Sequence, residues 1–421
     1  MIKHILKQIW VERRQNSWIL LELLVVFFFL LLMTDFLWVK LKNYMEPKGF
    51  DIEHTYMMRL KTLEPIAPNY LAPEENAMTK ADEAAALVDR IRQYPDVEAI
   101  SLSIFAEPYS MGGLWNGLRA DTLHSPSMRC RVVTPSYFEV FRIRSFDGTP
   151  LRVEAAGNNQ FVLTRTIAET LFDTATDALG KEVYNGTKEE EQEVPFRVIA
   201  VSEPLKRQDF YPYEPAFYEM LTPTRLNGWL ATNDITWLNI CVRIHPGRER
   251  HFEEMFEVEM GDRLQVNNLY VASVVPSHKF RDEVVGKMLR EDVLLMTYVM
   301  VFVLITVFLG IFGTFWLRTR QRRGEIAIRM AAGANRSTVW KYMIVEGLLL
   351  IVLVILPATL VYINLLYSDI LDTWRLPFTA GRVAIALCSS LIILVLMVIG
   401  GINWPARRAA RLELAEALRD E

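Results

Sequence analysis

Four stretches of the chain are almost continuously apolar: Ser17–Val39, Val293–Leu317, Val339–Tyr367 and Val383–Trp404. A hydrocarbon core of ~30 Å is crossed by about 20 residues of helix, so each stretch predicts a membrane-spanning helix. The first exceeds the apolar part of a secretion signal, and the MTDFLWVKLKNYM that follows offers no small-x-small cleavage site. It reads as a retained anchor.

Between the first and second spans, about 40–292, the pattern changes. An extended run at Thr55–Leu63 is followed by helical spacing in KADEAAALVDRIRQY (Lys80–Tyr94) and by alternation in VEAISLSIF. The same sequence of periods recurs in ITWLNICVRI (Ile235–Ile244), the helix Glu249–Leu264 and the strand NLYVASVV. A switch from a period of 3.6 to a period of 2 across a short turn marks a helix running into a strand. The two stretches therefore predict two β-α-β halves of one α/β unit. The intervening 107–233 predicts a β-rich insertion containing MRCRVVTPSYFEVFRI, the strand-helix pair FVLTRTIAETLF and PFRVIAVSE. NGTKEEEQE (Asn185–Glu193) reads as an exposed hairpin loop. The predicted fold class is a membrane protein with four transmembrane α-helices and a large α+β extracytoplasmic domain.

Charge orients this plan. Over all 421 residues the net charge is only −4, but the sequence is segregated. Lys3, Lys7, Arg13 and Arg14 precede the first span, and Arg407, Arg408 and Arg411 follow the fourth. Seven cations (Arg318, Arg320, Arg322, Arg323, Arg329, Arg336 and Lys341) run from the end of the second span into the start of the third against one acid, Glu325. The link between the third and fourth spans balances Arg375 and Arg382 with Asp369 and Asp372. Positive side chains resist translocation, so both termini and the basic bridge are expected in the cytoplasm and 40–292 outside. The resulting order is a cytoplasmic segment (1–16), a span (17–39), the outer domain (40–292), a span (293–317), a cytoplasmic helix (318–338), a span (339–367), a short outer loop (368–382), a span (383–404) and a cytoplasmic tail (405–421). The outer stretch holds 29 Lys/Arg and 39 Asp/Glu, an acidic balance that argues against a nucleic-acid partner. Membrane lipid is the surrounding partner.

Catalytic signatures are missing. No G-x-x-x-x-G-K-[ST] loop or G-x-S-x-G elbow occurs, and the six histidines show no metal-ligand spacing. No enzyme, cofactor or metal is expected in this chain. Cys130 and Cys241 both fall in the outer domain, where they either pair or remain two free thiols. Ionisable residues inside spans default to function. Glu22 is placed to snorkel to the cytoplasmic face or to pair with the basic flank. Asp35 sits near the outer interface. Glu346 either pairs with an arginine of the bridge or is a solvated interfacial carboxylate. Gly310 and Gly313 are a small-residue pair that permits close helix approach.

The bridge carries the most information. Arg318–Ala332 has helical spacing, Gly333 is a natural stop, and Asn335 or Ser337 can cap the next helix. GIFGTFWLRTRQRRGEIAIRMAAGA resembles the signature of the MacB/FtsX-type ABC permeases, in which arginines precede an E-I-x-[IV]-R-x-x-G-A core. PARRAARLELAEALR resembles that family's closing sequence, and PSYFEVFRIRSFDGTPL, FVLTRTIAETLF and LGKEV resemble stretches of its outer domain. Gly313 departs from a frequent Asn, and Ala327 from a frequent Gly. The resemblance implies a four-span permease that works as a homodimer or heterodimer beside a cytoplasmic ABC ATPase. ATP and Mg²⁺ are then held on that separate chain, since no nucleotide-binding domain precedes the first span. Arg322, Glu325, Ile326, Arg329, Gly333 and Ala334 carry over as the ATPase-coupling element, driving motions of the periplasmic domain from the inner membrane of a bacterium. Efflux with a periplasmic adaptor and outer-membrane channel is the favoured task, ahead of lipoprotein release or relay of a signal to a cell-wall enzyme or sensor kinase. The rival is a membrane-anchored receptor without ATP coupling.

Overall fold

The computed structural model describes residues 7, 10, 11, 13–72, 74–110, 112–121, 123–154, 157, 159–186, 194–286, 291–321, 324, 326, 328, 330 and 333–409. The chain divides into two compact units, Met1–Met45 with Glu291–Glu421, and Glu46–Arg290.

The first unit is built on four helices, Arg13–Met45, Glu291–Gln321, Arg336–Tyr367 and Ala380–Ala409. Each contains a segment long and apolar enough to cross a membrane: Ser17–Met45, Leu294–Gln321, Ser337–Tyr367 and Ala380–Asn403. The first helix has 33 residues, about 50 Å at ~1.5 Å per residue. It continues past Val39 because nothing in VKLKNYM breaks it, and the buried Asn43 amide finds acceptors in Val39 O at 2.8 Å and Arg375 O at 3.2 Å. The first, third and fourth helices pack on one another, and the second lies mainly along the fourth. Their shared core includes Leu23, Phe27 and Leu31, then Leu350, Val354 and Ala358, then Leu394 and Val398. Two glycines allow close approaches between apolar side chains and helix backbone. A Cβ on Gly347 would lie 2.6 Å from Ile402 Cδ1, and one on Gly401 would lie 3.1 Å from Ile311 Cγ2.

The second unit begins with β1 (Thr55–Thr62), α1 (Lys80–Arg92), β2 (Val97–Ile104), β3 (Leu114–Asn116), β4 (Leu118–Ala120), β5 (Leu123–His124), β6 (Met128–Val133), α2 (Tyr137–Val140), β7 (Gln160–Thr164) and α3 (Arg165–Phe172). It continues with β8 (Glu182–Asn185), β9 (Pro195–Ser202), β10 (Leu205–Lys206), β11 (Tyr213–Glu214), β12 (Ala216–Met220), α4 (Pro223–Leu230), β13 (Leu238–Ile244), α5 (Glu249–Met260), β14 (Gln265–Val266), β15 (Leu269–Pro276) and α6 (Ser277–Val285).

At one end of the main sheet the strand order is β15-β1-β13-β2, with every neighbour antiparallel. The halves β1-α1-β2 and β13-α5-β15 thus interlock, each inserting a strand between the two strands of the other, as in ferredoxin-like folds. The insertion continues the same sheet. β6 joins β2 through Ser103↔Val133 and Ile104↔Val132, and β12, β7, β9, β8, β4 and β5 follow outward.

Local chemistry sets the element ends. Thr79 and Asp82 form a reciprocal capping box at the start of α1, which buries Ala84, Leu87 and Ile91. α5 buries Phe252, Phe256 and Met260 at helical spacing and stops at Gly261 (φ +38), short of the expected Leu264. The strand expected from Ile235 starts at Leu238, because Asp234 Oδ1 accepts from Thr236 N at 2.8 Å and folds 235–237 into a 3₁₀ turn. β8 and β9 pair antiparallel through Val183↔Phe196, closing the hairpin whose loop residues 187–193 lie outside the described residues.

Apolar clusters cover both faces of the sheet. One holds the buried sides of α1, α3, α4 and α5, and the other holds Tyr137, Phe138, Phe141, Leu151 and Tyr218. Cys130 belongs to the first cluster and Cys241 to the second. Their strands are separated by β2, which spaces them by about 10 Å at ~4.8 Å per strand, beyond disulfide reach. Both are free and buried. Burial pushes both thiol pKa values up, and the Glu219 charge adds to this for Cys130.

Candidate functional site

The bridge between the second and third spans is described in part. Arg322, Glu325 and Arg329 lie outside the described residues. Ile326, Gly333 and Ala334 are brought together at the start of the third span. Ile326 is 7% exposed and packs with Val339, with Met330, Ala334 and Met343 around them. Gly333 takes φ +96 and its N–H donates to Met330 O at 3.0 Å, the left-handed turn that ends a helix. Asn335 then caps the next helix, Oδ1 accepting from Thr338 N at 2.8 Å. Ile326 is therefore seated against its own chain, whereas Ile328, two positions on, is 66% exposed.

The intramembrane carboxylates each have a distinct environment. Thr314 Oγ1 donates to half-buried Glu22 at 3.0 Å, so the first span's carboxylate faces the second span. Gly310 makes the room: a Cβ there would lie 2.8 Å from Glu22 Oε1. Gly313 meets nothing within 4 Å and takes no part in this packing. Glu346 is buried, at 5% exposure.

The strongest polar feature of the helical unit was hidden in the sequence. Arg382, at the start of the fourth span, forks onto Asp35 of the first, Nε to Oδ1 at 2.7 Å and Nη2 to Oδ2 at 2.6 Å. Tyr362 of the third span donates its hydroxyl to Asp35 Oδ1 at 2.8 Å. The remaining guanidinium nitrogen donates to the carbonyls of Asp372 and Leu376 in the preceding link. Asp35 is thus buried in a salt bridge rather than interfacial, and Arg382 is a partner rather than a flanking charge. The available signal was one acid and one base placed at the same predicted end of two spans. Arg375, by contrast, pairs locally with Asp372.

The outer unit buries several charges of its own. Arg129 (1% exposed) donates to Ser110 O at 3.3 Å and Gly112 O at 2.6 Å. Burial and the neighbouring Arg131 and Arg207 lower its pKa to about 10. Arg225 pairs with buried Glu219 at 2.7 Å, and burial raises that carboxyl despite the pairing. Among the described residues no group of three or more His, Cys, Asp or Glu is placed to hold a metal ion. These arrangements rigidify and couple elements.

Two family models match the chain. Residues 41–251, half of the chain, match the model of the MacB-like periplasmic core domain, and 297–414 match the FtsX-like permease C-terminal model. A relative in Pseudomonas syringae pv. syringae, "Probable syringafactin export ATP-binding/permease protein SyfD", is 26% identical over 299 residues, covering 68% of this chain and 42% of the relative. The "Macrolide export ATP-binding/permease protein MacB" of Escherichia coli O157:H7 is 25% identical over 302 residues, covering 69% and 43%. The chain therefore spans about two fifths of the length of these relatives. The periplasmic region of MacB from Actinobacillus actinomycetemcomitans aligns over 58% of this chain and 97% of its own, with a TM-score of 0.35 and 13% identity.

Proposed function

The chain belongs to the MacB/FtsX-like family of ABC permeases, and from that premise we propose that it is the membrane-spanning subunit through which a separate cytoplasmic ATPase moves the outer, periplasmic unit. The work done is export of a periplasmic compound, in company with an adaptor and an outer-membrane channel. The relatives named for export of a macrolide and of syringafactin support that choice of task. Both termini and the bridge face the cytoplasm in this reading, on the strength of their Lys/Arg content.

The observation that carries the proposal is the seat of Ile326 on Val339 and Met343. A bridge merely looping between spans would move independently of them. Here Ile326 is packed onto the base of the third span, so a push on the bridge is delivered to that helix. Arg322, Glu325 and Arg329 supply the charges that meet the ATPase, and exposed Ile328 supplies apolar area. ATP and Mg²⁺ are bound by the partner.

The test is purification of the full-length protein in mild detergent, with identification of co-purifying chains and an ATPase assay. An associated ATPase is expected, and Glu325→Lys or Arg329→Glu should abolish the association while folding and membrane insertion persist. Undiminished association of both variants would sink the coupling role. A preparation with no ATPase at all would favour a receptor without ATP coupling.

A further inference from the structure

The unit Glu46–Arg290 is joined to the helices by two stretches of chain, one following Met45 and one preceding Glu291. Both stretches converge on a single carboxylate. Asp209 lies in the hairpin joining β10 to β11, and its side chain is 1% exposed. From the first stretch, Lys48 Nζ comes within 3.1 Å of Asp209 Oδ1. From α6, ahead of the second span, Arg281 donates from Nε to Oδ2 at 2.8 Å and also from Nη2. Tyr109 completes the group, its hydroxyl donating to Oδ1 at 2.7 Å. Lys48 and Arg281 each stand 5.9 Å from the Tyr109 ring centroid, and Phe50 packs edge-on against that ring at 5.7 Å.

The hairpin grips the first stretch at further points. Lys206 N donates to Lys48 O at 3.0 Å, and Lys206 Nζ pairs with Glu46 Oε2 at 3.3 Å. Gly49 takes φ +80, and a Cβ there would fall 2.4 Å from Pro204 O, so only glycine lets the chain pass the hairpin this closely. Burial alone would raise the Asp209 carboxyl. The Tyr109 hydroxyl, Arg281 and Lys48 outweigh it and hold the group below the usual range.

We propose that Asp209 is a latch that fastens both stretches to the β10–β11 hairpin as one coupled element. The physical basis is charge balance in a desolvated site. One carboxylate, 1% exposed, serves two cations from segments far apart in sequence, whose side chains are 31% (Lys48) and 27% (Arg281) exposed. Removing the carboxylate leaves two like charges side by side over Tyr109, which drives both stretches away from the hairpin. Removing one cation relieves that repulsion and leaves the other as the sole counter-charge, which tightens its hold. A hairpin that only stabilised its own neighbourhood would show no such cross-talk. The latch's use as a force path rests on the permease reading, but the latch itself does not.

The experiment is backbone hydrogen exchange on the full-length chain in detergent, without ATP or partner, so its result is independent of whether an ATPase binds. Asp209→Asn should accelerate exchange at least about tenfold in both 46–53 and 277–285, with amides of β13 unchanged. Lys48→Met, which removes a cation from the first stretch only, should accelerate 46–53 and slow exchange in 277–285, where Arg281 then holds the carboxylate alone with no like charge beside it. If Lys48→Met alters 46–53 alone, or Asp209→Asn loosens a single stretch, the coupled latch is wrong. Tyr109→Phe provides a milder variant should Asp209→Asn fail to fold, and it too should loosen both stretches together. Association with an ATPase is then scored separately, and its absence would count against the permease reading while leaving the exchange result standing.

Discussion

Arg382 and Asp35 are 347 residues apart in sequence and form one planar, two-bond ion pair, with 0% and 5% of their side chains exposed. Arginine suits the position because its fork matches both carboxylate oxygens and leaves a third nitrogen for the link carbonyls. Breaking such a pair from one side strands a buried charge, at a cost of ~3–5 kcal/mol, whereas replacing both partners removes the penalty together with the attraction. Asp35→Asn and Arg382→Met should each lower the thermal midpoint of the detergent-solubilised protein strongly. The double variant should recover much of the loss. Equal, additive losses in a double-mutant cycle would show that the two residues act independently.

Three glycines of the helical unit divide by what surrounds them. A side chain on Gly347 or Gly401 must displace Ile402, Val398 or Ile311 from the helix seam. Overpacking of this kind costs about 1–3 kcal/mol, so Gly347→Leu and Gly401→Leu should destabilise the isolated chain. Gly313 faces open space, and Gly313→Leu should leave the monomer's thermal midpoint unchanged. Comparison of the three variants by thermal unfolding in detergent separates these outcomes. A stability loss at Gly313 that grows with protein concentration would instead mark contact with a second copy.

The spans and the paired β-α-β halves were legible because each is encoded locally. A run of about 20 apolar residues has few other stable environments, and the change of period at Tyr94 and again near Leu264 is visible along the chain. Asp234 before Thr236 was a readable turn signal that the apolar run ITW concealed. What stayed hidden is non-local. Asp35 and Arg382 carry no mark of each other, and the extension of the sheet hangs on two residue pairs between β2 and β6. Ile326 stands in the coupling motif, but which side of the bridge it occupies depends on the turn at Gly333, which folds the chain back so that Val339 covers it. Gly310 was expected to permit close helix approach, and what comes near it is the Glu22 carboxylate.

The outer unit should also carry a pH signature from Glu107. It is 8% exposed, and burial raises its carboxyl above the ordinary 4.5, against hydrogen bonds from Ser110 and Asn239 and the charge of Arg129. A carboxyl raised in the folded state holds its proton more tightly there than in the unfolded chain. Its contribution to stability is therefore full below the unfolded value and declines as pH rises through the folded value. Asp209, with its carboxyl depressed, contributes in the opposite sense, losing stability as pH falls. Glu107→Gln keeps the shape and removes only the titration. The attraction to Arg129 is made only by the ionised carboxylate and so belongs to the titration, and the informative quantity is the slope. Thermal midpoints of the two proteins, measured from about pH 5 to about pH 8, should move in the variant's favour as pH rises. Parallel curves across that range would mean that Glu107 holds the same charge throughout it.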